Sequence, residues 1–158
     1  MTMSNGPVTG DAAPDFTLPI NGGGTITLSA LKGRKIVLYF YPKDDTPGCT
    51  TEALEFTARK ADFEAAGATI IGLSRDSVAA HDKFVAKREL SIPLASDSDG
   101  RVTDAYGVWV EKMNYGKKYM GIERSTYLID AKGTIARVWR KVKVKGHVDA
   151  VLEAARGL

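Results

Sequence analysis

The sequence predicts an α/β sandwich, a mixed central sheet with helices on both faces, and three observations carry that expectation. Residues 36–41 and 68–73 are runs of branched and aromatic side chains without polar alternation, which suits central strands covered on both sides. Between and after these runs, apolar residues recur at helical spacing. Late in the chain, 125–129 and 134–140 read as two strands joined by the turn Asp130-Ala131-Lys132-Gly133. The resulting order, β-β-β-α-β-α followed by β-β-α, places helices on either side of one sheet.

Taken in order, residues 1–11 are rich in Gly, Ser, Asn and Thr and are expected to form a loose leader. Residues 15–19 alternate polar and apolar, Gly22-Gly23-Gly24 breaks the chain, and 25–28 resume, which reads as a hairpin. The run 36–41 opens into a polar loop, 42–48, and a long helix to about Ala66. In that helix Cys49, Ala53, Phe56 and Phe63 share one stripe; Leu54, Ala58, Ala61 and Ala65 share the neighbouring one, and Gly67 ends it. After strand 68–73, Asp76 or Ser77 caps a helix to about Glu89, with Val78, Phe84 and Val85 inward. A short strand near 92–94, a short helix near 101–106 and a final helix over about 146–156 complete the reading. There is no repeat, low-complexity tract or linker, so one domain over 1–158 is expected.

Composition excludes several function classes. One cysteine rules out an internal disulfide and any multi-cysteine zinc or iron–sulfur site. The net charge is only +3, and the densest basic run, 137–145, alternates Arg or Lys with Val, as the wet face of a strand would. No nucleic-acid partner is expected. No basic segment followed by an apolar run opens the chain, and no stretch approaches the ~18 apolar residues of a membrane span. The expectation is a soluble protein of the reducing cytoplasm, without a membrane partner. His81 and His147 share no recognisable ligand spacing and read as capping or surface residues, so no metal or cofactor is expected. Asp44-Asp45 reads as a solvated loop pair.

The chemistry gathers at Cys49. Thr46 suits an N-cap and Pro47 the first helical position, where its missing N–H costs nothing. Cys49 then falls in the first turn, where unpaired amides and the helix dipole favour a negative sulfur. By default a lone cysteine is a small buried hydrophobe. Here it follows a polar, Pro- and Gly-bearing loop at the end of a central strand, where open α/β sheets place their sites.

The segment Tyr39-Phe40-Tyr41-Pro42-Lys43-Asp44-Asp45-Thr46-Pro47-Gly48-Cys49-Thr50-Thr51-Glu52-Ala53 resembles the active-site segment of peroxiredoxins, in particular the bacterioferritin comigratory (peroxiredoxin Q) group. Ala13-Pro14-Asp15-Phe16, Gly107-Val108-Trp109 and residues 121–130 extend the likeness over nearly the whole chain. The resemblance implies a thioredoxin-like fold with an N-terminal β-hairpin extension, and an antioxidant peroxidase acting on hydrogen peroxide and organic hydroperoxides. It implies that Cys49 is the nucleophile that becomes a sulfenic acid and that Arg124 lies beside it. The Thr46 hydroxyl, the Cys49 amide and Arg124 would donate to the peroxide oxygens, and Pro42 would shield the sulfur. Glu52 would orient the arginine, although an acid in a first helical turn is an equal reading; Gly48 completes the motif as a supporting position.

Many relatives carry a second, resolving cysteine at the position of Leu54 or on the following helix, and neither place holds one here. The expected reductant is therefore an external thiol: thioredoxin, glutaredoxin or a low-molecular-weight thiol. A monomer is expected. The alternatives are a redox-inactive thioredoxin-like module or a stoichiometric peroxide sensor. A thiol–disulfide oxidoreductase is disfavoured because Thr46 stands where a Cys-x-x-Cys motif needs sulfur. An ordinary thiol, about 3% ionised at pH 7, gains at most roughly 30-fold, or ~2 kcal/mol, from full ionisation. The rest of a fast peroxidase rate has to come from donors aimed at the departing oxygen.

Overall fold

The computed structural model describes residues 6–158. Its centre is a five-stranded mixed sheet in the order β5-β4-β3-β8-β9. The strands are β3 (Lys35–Phe40), β4 (Ala68–Ser74), β5 (Leu94–Ser96), β8 (Ser125–Ile129) and β9 (Ile135–Trp139). β3 pairs in parallel with β4 and antiparallel with β8. The expected N-terminal hairpin is present as β1 (Thr17–Pro19) and β2 (Thr25–Thr27).

Alternation along β3 divides the core in two. Val37 and Tyr39, with Tyr41 just beyond, join Phe56, Phe63, Phe84, Val151 and Leu152 on one face. Ile36, Leu38 and Phe40 join Ile71, Leu73, Tyr106 and Tyr127 on the other. The helices on the first face are α1 (Pro47–Ala58), α2 (Lys60–Ala65), α3 (Val78–Arg88) and α5 (His147–Arg156); α4 (Arg101–Ala105) packs on the second. Truncating a side chain such as Leu38 or Phe56 at these positions costs about 2–5 kcal/mol. Gly72 of β4 leaves room for Tyr39: a Cβ there would lie 2.8 Å from the ring, and that ring stacks on Phe56 of α1 at 4.5 Å between centroids.

Several expectations are corrected. The long helix to Ala66 is two helices, broken at Arg59 (φ −103, ψ 9), whose N–H is shared between Glu55 and Phe56 carbonyls. The row Leu54, Ala58, Ala61 and Ala65 faces solvent, because the sheet and α5 occupy only the Cys49–Phe56 side. The strand near 92–94 starts at Leu94, after Pro93, which cannot donate to a ladder. The basic run 137–145 is not one strand: β9 stops at Trp139 and Lys141 has φ 49, although its lysines are exposed and its valines half-buried, as alternation predicts.

The leader is not loose where it is described. The Gly10 amide donates to Ile135 O at 2.8 Å, and the Ile135 amide donates back to Asp11; residues 1–5 lie outside the described residues. Residues 109–122, to which no element had been assigned, form a second hairpin, β6 (Trp109–Asn114) and β7 (Lys117–Ile122). Its two-residue turn holds Tyr115 at φ 51 and Gly116 at φ 78, the positive pair such turns demand. Among the described residues no helix is long and apolar enough to cross a membrane.

Candidate active site

The site forms where β3 hands over to α1. The loop between them is held at both acidic residues. Asp44 accepts from the Tyr41 hydroxyl and from His81 Nδ1 (2.6 Å), and its amide donates to Asp76 at 2.9 Å. Asp45, at φ 62, accepts from Lys87 (2.6 Å) and Arg88 on α3. The Asp44 side chain is thus buried and anchored, which corrects the sequence reading for it, whereas Asp45 is exposed and ion-paired.

Thr46 occupies the N-cap position as expected, but its hydroxyl does not cap the helix; it donates to Lys43 O at 2.8 Å. The first helical bond runs from the Thr50 amide to Thr46 O at 2.8 Å. Ahead of it, the amides of Gly48 and Cys49 have no carbonyl behind them in the helix. Cys49 lies in that turn, 1% exposed.

Arg124, between β7 and β8, reaches across to this turn. Its Nη2 donates to Cys49 Sγ at 3.3 Å and its Nη1 to Glu52 Oε1 at 2.7 Å. The Val142 amide fixes its carbonyl at 3.0 Å. A Cβ on Gly48 would stand 3.1 Å from Arg124 Nη2, so the absence of a side chain there gives the guanidinium its seat. Glu52 is 0% exposed and lies past the first helical turn, so the alternative of a first-turn acid does not describe it. Burial pushes its carboxyl up to about 7 against the opposing pull of Arg124, and its Oε2 has no protein partner. The charges of Glu52 and Cys49 outweigh burial and hold Arg124 above the ordinary guanidinium value.

Two more buried polar atoms lacking a protein partner lie in β3 and α1, the Tyr39 hydroxyl and Thr50 Oγ1. Burial, then the Glu52 charge, drives the Tyr39 hydroxyl well above its usual range. Outward from Arg124 runs an open groove of about 500 Å³, walled by Pro42, Val110, Lys112, Tyr119 and Val142. Burial, with Arg124 nearby, lowers the Lys112 ammonium.

The structure therefore brings Cys49, Gly48, Glu52 and Arg124 into contact, sets Thr46 at the helix mouth and Pro42 on the groove wall. Both histidines are buried, not superficial. His147 Nε2 meets Thr126 Oγ1 at 2.8 Å, and burial with the nearby Arg124 charge pushes its ring down to about 4. His81, with Asp44 and Asp76, forms the one group of metal-type ligands found among the described residues. Its ring nitrogens are already taken by Asp44 and Ala95 O, so bonds within the protein account for it without an ion. Nothing local in the sequence signals this triad, since its members are brought together by the β3–α1 loop, the β4–α3 corner and α3. The β6–β7 groove wall did have a signal, the Gly116 turn between two strand-like runs.

A mixed sheet whose central strand runs into a helix with a cysteine in its first turn is the thioredoxin-like arrangement. The AhpC/TSA family profile matches residues 9–138. A putative peroxiredoxin bcp of Coxiella burnetii is 52% identical over 90% of this chain and 95% of its own. Peroxiredoxin Bcp of Bacillus subtilis is 49% identical over 94% and 95%. The Xanthomonas campestris bacterioferritin comigratory protein, whose solved structures address alkyl peroxide reduction, superposes with a TM-score of 0.86 at 51% identity, over 90% of each chain. Solved forms of Xanthomonas campestris peroxiredoxin Q, also 51% identical, include Cys→Ser variants at two different positions, whereas this chain has one cysteine. The chain belongs to the AhpC/TSA family.

Proposed function

We propose that this protein is a peroxidase that reduces hydroperoxides through Cys49 and is returned to its reduced form by an external thiol. One observation carries the reading: a single guanidinium donates to both the Cys49 sulfur and a buried carboxylate at a helix N-terminus. Cys49 Sγ, as thiolate, attacks the terminal oxygen of ROOH. The O–O bond breaks, the S–O bond forms, and RO⁻ leaves to take a proton from water. Arg124 and the Cys49 amide donate to the oxygens as charge moves from sulfur to the leaving group, where such preorganised donors act most strongly. Glu52 holds the guanidinium in plane, Gly48 leaves it room, Pro42 walls the approach, and Thr46 O anchors the first turn. A thiol then attacks the sulfenic sulfur and releases water; a second thiol displaces Cys49 and leaves as the disulfide. The reading includes a monomeric, single-domain protein of the reducing cytoplasm.

Cys49→Ser is expected to lose all thiol-dependent hydroperoxide turnover and keep a native circular dichroism spectrum. Steady-state consumption of peroxide by the parent chain, with dithiothreitol, glutaredoxin or thioredoxin in turn, distinguishes an enzyme from a sensor. One oxidation per molecule under all three would overturn the enzymatic reading.

A further inference from the structure

His81 is a fully buried imidazole outside the peroxide site, and both of its nitrogens face acceptors. Nδ1 lies 2.6 Å from Asp44 Oδ2, and Nε2 lies 2.9 Å from Ala95 O of β5. A backbone carbonyl cannot donate, so Nε2 supplies the proton to Ala95 O; an ionised Asp44 can only accept, so Nδ1 then supplies the other. The ring sits between the β3–α1 loop and β5. Asp44 is the middle of that loop, two residues from Pro42 and two from Thr46.

We infer that His81 is a positioning residue for peroxide reduction: as an imidazolium it holds Asp44, and through it the loop that sets Pro42 and Thr46 against Cys49. This inference rests on the function proposed above. The other groups facing the ring agree with a cation there. Tyr41 Oη, at the end of β3, is 3.4 Å from Nδ1 and donates to Asp44. Asp76, at the corner before α3, adds a second negative charge and takes the Asp44 amide. Asp82, next on α3, is turned to the Gly22 amide. Lys87 and Arg88, further along α3, are turned to Asp45, which both of them pair with. Although burial works against the charge, the hydrogen bond to Asp44 and the two carboxylates raise the His81 ring above its ordinary 6.5.

The direction of the pH effect follows. The clamp exists while His81 is protonated, is complete below about 6.5, and is lost as pH rises through the raised value in the folded protein. The rate constant for Cys49 oxidation by hydrogen peroxide, from stopped flow across pH 5–10, is expected to climb and then decline on the alkaline side. In His81→Gln the neutral-pH rate should fall at least about tenfold, because loop misplacement near 1 Å carries losses of that order or more. The alkaline decline should vanish with it, and Asp44→Asn/His81→Gln should be no slower than either single variant. A ring-carbon NMR titration of His81 in Cys49→Ser should show a midpoint above 6.5 and needs no activity. A midpoint at or below 6.5 would overturn the proposal. So would a uniformly slower His81→Gln that keeps the alkaline decline, since that describes a structural histidine only. Absence of oxidation in the parent chain at every pH would instead remove the peroxidase reading and leave the NMR result standing.

Discussion

Two buried carboxylates flank the turn that carries Cys49, and their bonding differs. Asp44 is filled: Tyr41 and His81 occupy its oxygens, and its amide is held by Asp76. Glu52 is half-filled: Arg124 takes Oε1, Oε2 is left without a protein partner, and burial holds the carboxyl near 7. A filled network fixes a backbone path, whereas a half-filled one keeps its cation available to a third group, here sulfur. Low-dielectric surroundings make both arrangements costly to disturb, but for different observables.

The largest expected effect comes from removing the shared cation. Arg124→Ala should slow Cys49 oxidation by about 10²–10³, the loss seen when one preorganised donor is deleted, while the far-ultraviolet spectrum stays native. A stopped-flow rate within threefold of the parent would show that the Glu52 side of the comparison has no catalytic content.

Gly48→Ala sharpens the point, because it changes no charge. Its new methyl would stand 3.1 Å from Arg124 Nη2, so the guanidinium must shift by tenths of an ångström. The oxidation rate should drop by roughly 3- to 10-fold. Alanine in a helical turn should meanwhile add up to ~1 kcal/mol to urea-unfolding stability. Activity and stability moving in the same direction would contradict the packing argument.

In the parent chain the smallest net effect is the pH dependence of stability, because two larger contributions cancel there. Glu52 titrates at about 7 in the folded chain against an ordinary 4.5, so the unfolded chain releases this proton first and stability falls as pH rises between those values. His147 is depressed from 6.5 to about 4, so its contribution rises with pH over nearly the same interval. Each spans about 3 kcal/mol, and between pH 4.5 and 6.5 they oppose one another. Glu52→Gln should therefore expose a rising urea midpoint across that window, and His147→Asn a falling one. Identical slopes in both variants would refute the assignment of either group.

The sheet was legible from sequence because 36–41 and 68–73 carry their own signal, continuous apolar runs that only a two-sided burial explains. Cys49, Thr46 and Pro47 were legible as a helix start because capping chemistry is local. Arg124 and Glu52 were named from family likeness, since 72 positions separate residues that end 2.7 Å apart. The histidines were misread for the same reason. His81 looks like any polar residue near a helix start, and its partners come from the β3–α1 loop and β5. The Thr46 hydroxyl shows the limit even of local rules, because its oxygen accepts from no first-turn amide and its proton goes back to Lys43 O in the loop.

Gly72 carries a consequence beyond strand pairing. The Tyr39 ring fills the space where a side chain at 72 would stand, and the same ring supports Phe56 on the helix that holds the sulfur. The angle at which α1 leans on the sheet is thus set partly by missing atoms in β4. Any residue larger than glycine there would press through Tyr39 and Phe56 on the helix that carries Cys49, so a position in the sheet bears on the seat of the sulfur without touching it.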